Sequence, residues 1–346
     1  MSNGLFVVAG KEFADSFRNR TVLAIFAIFF AITIIGMIGG IAEYQDTLDS
    51  YNERLSTAGT EERGLMDTRP SPMIVFESVG VLLVTMGALL GITAGFDLIT
   101  RERETKSLKV LLSHPVFRDE VINGKAIGAG GALACIFAAT IAVSIALLLI
   151  TGIIPGGDEW SSIMIFAFSA FLMIVAYFAI ALCMSSISET SGTALIYTLI
   201  IFILLSGLLP VLVENGAADA IAGDPPSMPR VMQSTPAEGG MRAFQGMTDT
   251  AEFQQYRSEM QDWWSRRQAV IDIASLFSPT MSFNAISDTI TSSQTVQVRA
   301  GIGGGMYTQA TANTSGSILS HLLALLAFPT VFFGIAYMRF MRMDLR

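Results

Sequence analysis

The chain has 346 residues, of which 52% are hydrophobic and 14% charged, with a net charge of -8 and a pI near 4.9. Soluble globular domains carry about 25% charged residues, so an ordinary soluble enzyme is excluded. The acidic balance also excludes a nucleic-acid reader that works by neutralising phosphates. The apolar surplus lies in long uninterrupted runs, the composition of a multi-spanning membrane protein. Cys135 and Cys183 both fall inside such runs, and neither they nor His114 and His321 stand at ligand spacing, so a disulfide framework and a metal site are excluded.

In chain order, residues 3–20 place Phe6, Ala9, Phe13 and Phe17 at helical spacing, with Lys11, Glu12, Asp15, Arg18 and Asn19 on other faces. This predicts an amphipathic helix over 1–21 lying in the membrane interface, the alternative being a helix that rests on other protein. Six runs are then long enough to cross a hydrocarbon core of about 30 Å: 22–42, 79–100, 126–154, 161–187, 192–213 and 317–338. The second and third carry small residues (Gly87, Gly91, Ala94 and Gly95; Gly128, Gly130, Gly131 and Ala134) that would let helix backbones approach closely. The first run is too long for a signal peptide and no small-x-small site follows it, so it is read as an uncleaved span.

Basic residues set the orientation. Lys11, Arg18 and Arg20 precede the first span, Arg101, Arg103, Lys106, Lys109, Arg118 and Lys125 follow the second, and Arg339, Arg342 and Arg346 follow the last. These flanks are expected to be cytoplasmic, with both termini inside the cell membrane. The other side then holds a loop at 43–72 and an insertion at 214–316. Within that insertion, 224–240 reads as irregular, and 248–277 as an amphipathic helix carrying Phe253, Tyr256, Met260, Trp263, Val270, Ala274 and Phe277. Ser278-Pro279 ends that helix, a shorter apolar stretch with Met281, Phe283, Ile286 and Ile290 follows, and Gly301 to Gly305 read as a turn. These pieces are too short to span and are expected to cap the bundle or lie on the outer membrane surface, with Trp263 and Trp264 as anchors. Asn313-Thr314-Ser315 matches a glycosylation acceptor pattern there.

The loop at 101–125 carries the strongest functional signal. Leu108, Leu111 and Leu112 recur at helical spacing, Pro115 ends the pattern, and charges flank it on both sides. A leucine ridge on a short surface helix is buried either by a partner protein or by the membrane surface. The order Glu102-Arg103-Glu104, Leu108, Leu111-Leu112, Pro115, Arg118 and Gly124-Lys125 resembles the loop of type-2 ATP-binding-cassette (ABC) transporter permeases, E-R-E-x-G-T-L-x-x-L-L-x-x-P-x-S-R followed by G-K. Lys106 stands here for the usual Gly, Ser107 for Thr and Phe117 for Ser. Phe277-Ser278-Pro279 with Phe283 is similar to an element before the final span of these permeases, and the nearest branch is the one named for multicopper-enzyme maturation. The resemblance implies an all-α integral membrane protein with six transmembrane helices, an amphipathic N-terminal interfacial helix, a cytoplasmic coupling helix and a helical extracellular insertion. Its parts would be 1–21, spans 1–5 over 22–213, the insertion 214–316, and span 6 with a tail over 317–346. It also implies an exporter in which Glu102, Arg103, Glu104, Leu108, Leu111, Leu112, Pro115, Arg118, Gly124 and Lys125 form the coupling loop that docks on a separate cytoplasmic ATPase. A second permease copy, identical or related, would complete the substrate path, and the partners are then the ATPase, that copy and membrane lipid, with no nucleic acid and no cofactor.

The chain has no G-x-x-x-x-G-K-[ST] of its own: Gly10-Lys11 is followed by Glu12 and residue 5 is Leu5. An ion-driven secondary transporter is the alternative, and its candidate groups are Asp97, Glu77 and His321 at span ends. A membrane-embedded hydrolase ranks last, because no paired carboxylates or Ser-His pair stands at membrane depth. On the expected orientation the outer segments hold about 20 of the 29 acids and about 9 of the 21 bases, and only four bases are Lys. An acidic exterior poor in Lys predicts a high-salt habitat.

Overall fold

A computed structural model describes residues 3–57, 70–105, 117–227, 251–294, 299–300, 306–307 and 314–342. The described elements are helical apart from one two-residue strand pair, and among them six helices are long and apolar enough to cross a membrane. α1 (Asn3–Arg18) ends at Asn19, whose side-chain oxygen accepts from Thr21 N at 3.0 Å while its carbonyl accepts from Leu23 N. Asn19 therefore caps α2 (Arg20–Thr57), and the chain turns there from one helix into the next. At 1.5 Å per residue α2 is about 57 Å long, nearly twice the hydrocarbon thickness. Its apolar part ends near Ala42, and the polar residues beyond continue the same helix to Thr57 where the sequence suggests mainly loop.

The second span is α3 (Met73–Gly95), a turn through Phe96 to Ile99, and the short α4 (Thr100–Glu104). α5 (Arg118–Ile150) and α6 (Gly157–Ile187) are the third and fourth spans. α6 is the central helix, with 72% of its apolar window buried against 11% for the fifth and sixth spans. α3 packs on α6 through a glycine seam. A Cβ on Gly91 would run into the Ile174 carbonyl, and one on Gly95 would stand 2.6 Å from the Phe178 carbonyl. The small residues of the second run thus act as expected at Gly87, Gly91 and Gly95. In the third run Gly128 meets α1 instead, while Cβ atoms on Gly130 and Gly131 would make only ordinary contact, with Phe178 at 4.0 Å and with Phe13 of α1 at 3.7 Å.

α7 (Ser191–Ala222) is the fifth span, interrupted by π-helical turns at Leu204–Leu208 and Val213–Ala217 with Pro210 between them. α8 (Ala251–Ser275) agrees with the predicted amphipathic helix and stops at Ser278-Pro279. Trp263 Nε1 donates to the Gly223 carbonyl at 2.7 Å, and the Arg267 guanidinium lies over both Trp263 and Trp264. α9 (Pro279–Gln294) corrects the expectation of a surface cap. Phe283, Ile286 and Ile290 are buried, and Phe283 packs edge-on against Phe166, which in turn meets Phe76. Leu205, which faces the start of α9, lies about 21 Å along α7 from Ser191, so α8 and α9 form a hairpin that dips between the spans. A two-residue antiparallel pair, β1 (Arg299–Ala300) with β2 (Met306–Tyr307), precedes the sixth span, α10 (Thr314–Met341). The predicted turn at Gly301 to Gly305 and the Asn313 acceptor site lie outside the described residues, as does most of 224–240.

Candidate coupling site at the basic end of the bundle

The described part of the predicted loop sits at the end of the bundle that gathers Lys11, Arg18, Arg101, Arg103, Arg118 and Lys125. Leu108, Leu111, Leu112 and Pro115 lie outside the described residues. Glu102, Arg103, Glu104, Arg118, Gly124 and Lys125 are described, and each is engaged with a helix other than its own.

Three consecutive residues of α4 hold three neighbours. Glu102 Oε1 accepts from Lys125 Nζ of α5 at 2.7 Å. Arg103 Nη1 donates to the Ser188 carbonyl at 2.7 Å, placing a cation at the C-terminus of α6 where the helix dipole is negative. Glu104 accepts from Ser191 N at 2.7 Å and from Ser191 Oγ at 3.1 Å, placing an anion at the N-terminus of α7. The start of α4 is fixed from the opposite direction, since Ser185 Oγ accepts from Ile99 N at 3.0 Å and Thr100 N at 3.2 Å. The charges in Glu102-Arg103-Glu104 therefore close helix ends and an ion pair instead of standing free in solvent.

Lys125 joins this cluster to α1. Its Nζ also lies 2.7 Å from Glu12 Oε1, and the side chain is 3% exposed against 11% for Glu12 and 13% for Glu102. Two carboxylates share one buried ammonium, so each helps the others tolerate burial. Glycines allow the approach. A Cβ on Gly124 would come within 2.8 Å of Val8 Cβ, and one on Gly128 would strike the Ala9 carbonyl. Val8, Ala9 and Glu12 thus form the face of α1 that packs on α5. Phe6, Phe13 and Phe17 point about a quarter turn away and are exposed, and Lys11, Asp15 and Arg18 take a third face. Ala9 belongs to the packed face and not to the phenylalanine face, which corrects the two-sided reading of this helix. Three faces suit a helix that meets protein, lipid and water at once. Arg118 Nη1 donates weakly to the Met341 carbonyl at 3.4 Å, so the start of α5 also touches the end of α10.

Sequence reasoning missed Glu12 as a partner and the serines Ser185, Ser188 and Ser191. The hydroxyl-rich run from Ser185 to Ser191 between two spans is the one local signal that helix ends there need partners. The ionisable groups weighed for an ion-driven transporter are spread out. Asp97 lies in the turn before α4, Glu77 near the start of α3, and His321 is buried near the opposite end of α10. Among the described residues no cluster of His, Cys, Asp or Glu could hold a metal ion.

The family described as ABC-2 family transporter protein matches residues 6–345. A probable ABC transporter permease protein NosY of Pseudomonas aeruginosa is 29% identical over 196 residues, covering 55% of this chain and 62% of that protein. One of the same description from Stutzerimonas stutzeri is 28% identical over 161 residues, covering 46% of this chain and 51% of its own. The chain thus spans about half to three-fifths of the length of these relatives. With the family matched over nearly every residue and six described helices long and apolar enough to cross a membrane, the chain belongs to the ABC-2 family of transporter proteins.

Proposed function

We propose that the chain is the permease subunit of an ABC exporter, moving its substrate by alternating access driven by a separate cytoplasmic ATPase. The observation that carries this reading is the triple attachment of Glu102, Arg103 and Glu104 to α5, α6 and α7. A displacement applied to the adjacent segment 106–116 reaches three spans directly, and reaches α1 through Lys125 and Glu12. A ligand shifts an equilibrium only by its different affinity for the two states. The ATPase must therefore bind the loop differently before and after nucleotide turnover, and Leu108, Leu111, Leu112 and Pro115 supply the docking ridge for it. Arg118, Gly124 and Lys125 receive the load on the far side of the loop.

On this reading the basic end is cytoplasmic, both termini lie inside the cell membrane, and the loop at 43–72 and insertion 214–316 face outward. Two copies, identical or related, enclose the path. The acidic, Lys-poor outer segments suit a high-salt medium, and the expected result is that the purified chain needs molar salt to stay monodisperse in detergent. A chain that stays equally monodisperse in dilute buffer contradicts the habitat assignment.

The coupling role is tested by affinity purification from native membranes. The unaltered chain is expected to bring down a P-loop ATPase, and the Leu111→Asp with Leu112→Asp double variant to lose it at least tenfold while keeping its membrane yield. Equal recovery of the ATPase by both chains sinks the assignment of the leucine ridge.

A further inference from the structure

α7 changes register just before Pro210. In a π turn the amide of residue i+5 bonds the carbonyl of residue i, and Leu209 N accordingly reaches the Leu204 carbonyl. The next carbonyl, that of Leu205, would need the amide of residue 210, and proline has none. It is served instead from the hairpin: Ser278 Oγ donates to the Leu205 carbonyl at 2.8 Å. Ser278 is fully buried, and the same oxygen accepts from Met281 N, which starts α9. Ordinary α-helical bonding moves this account by one residue. Leu209 N would bond Leu205, and Pro210 would leave the Ser206 carbonyl without an amide. Each register orphans one carbonyl, and Ser278 is bonded to the one that the π register leaves.

The surroundings tie the hairpin to this turn. Tyr177, Ser206 and Thr280 close a ring of hydroxyls, with Tyr177 to Ser206 at 2.6 Å, Tyr177 to Thr280 at 2.7 Å and Ser206 to Thr280 at 2.7 Å. Beyond Pro210, Arg267 of α8 donates to the Glu214 carbonyl at 2.8 Å and pairs with Asp219, and Trp263 holds the Gly223 carbonyl. The far half of α7 is therefore fastened to α8. The near half is fastened at its start to α4 through Glu104. Gly207 lies in the π turn between the two halves.

We propose that Ser278 is a register switch for α7. Seated on the Leu205 carbonyl, it holds residues 204–208 in the π form. Withdrawn, it lets the turn pass to the α form, which rotates the far half of α7 by about 100° against the near half and carries α8 with it. Departure of the α9 start from the bundle and rotation of α7 are then one event. This use of the switch rests on the permease reading, but the register choice does not.

The test uses the full chain in lipid nanodiscs, with Cys135 and Cys183 replaced by Ala and spin labels at Phe168 of α6 and Val211 of α7. Both positions are exposed and lie at similar distances from the basic end. With Ser278 present a single inter-label distance is expected. Ser278→Ala adds a population displaced by about 5 Å or more, whereas Ser278→Thr, which keeps a hydroxyl, does not. In a Pro210→Ala background the missing amide is restored, and Ser278→Ala then changes nothing. An unchanged distance in Ser278→Ala, or an equal shift in the Pro210→Ala background, overturns the proposal. Should Ser278→Ala alone fail to fold, Pro210→Ala is expected to rescue its yield, and failure of that rescue also overturns it. None of these readouts needs an ATPase or a substrate, so a negative result leaves the permease reading standing.

Discussion

Replacing Lys125 with Met is expected to cost about 3–5 kcal/mol of folded stability, the range for breaking a buried ion pair from one side. The substitution leaves Glu12 and Glu102, both nearly buried, facing each other without a cation. Thermal unfolding in detergent measures it. Glu12→Gln is expected to cost less, because Lys125 keeps Glu102 and a neutral amide can still accept from the ammonium. The informative variant is the triple one, Lys125→Met with Glu12→Gln and Glu102→Gln. Removing all three charges together removes their desolvation cost, so stability returns most of the way to that of the unaltered chain. Nucleotide-dependent response should not return, since α1 and α4 no longer share a cation. Recovery of both stability and coupling in the triple variant would show the cluster to be packing only.

The second large effect is expected at Gly91. Gly91→Leu places side-chain atoms where the Ile174 backbone now lies, and α3 must leave α6 along a seam that includes the core of the bundle. Overpacking a filled core costs about 1–3 kcal/mol or more, and here the obstacle is backbone, which cannot turn away as a side chain can. Gly91→Ala should already lower the unfolding temperature, and Gly91→Leu should abolish monodisperse protein. Gly39 is the control. It also lies within a span, but nothing stands within 4 Å of its Cβ position, so Gly39→Ala is expected to be neutral or slightly stabilising. A Gly91→Ala variant as stable as Gly39→Ala would contradict the close packing of α3 on α6.

The six spans were legible because hydropathy is a local property and each run exceeds the membrane thickness. The helical extension of α2 to Thr57 was not, since Glu43, Asp46 and Asp49 end the apolar signal without ending the helix. The burial of α9 was hidden for a related reason. Its apolar residues are too few to span alone, and only the facing Phe76 and Phe166 show that they enter the bundle. At the candidate coupling site, likeness to the permease loop alone singles out Glu102, Arg103, Glu104, Gly124 and Lys125. What they touch depends on residues 23 to 116 positions away, and no periodicity reports that. Glu12 shows the limit most clearly. Among Lys11, Asp15 and Arg18 it reads as one more solvated charge, yet its position one turn beyond Val8 and Ala9 puts it against α5. Pro210 marks in the sequence where an amide of α7 is missing, but Ser278, which serves the carbonyl left in the first π turn, stands 73 residues away from Leu205.

On the proposed reading the loop after the second span delivers the work of an ATPase to the bundle. Site-specific photo-crosslinking tests it most directly, with a benzophenone amino acid at Leu111 in native membranes. The expected result is a protein adduct whose partner carries a G-x-x-x-x-G-K-[ST] sequence, with a yield that changes when non-hydrolysable nucleotide is added. Adducts formed only with lipid, or a P-loop partner captured equally from a label at Ile221 on the far end of α7, would contradict it.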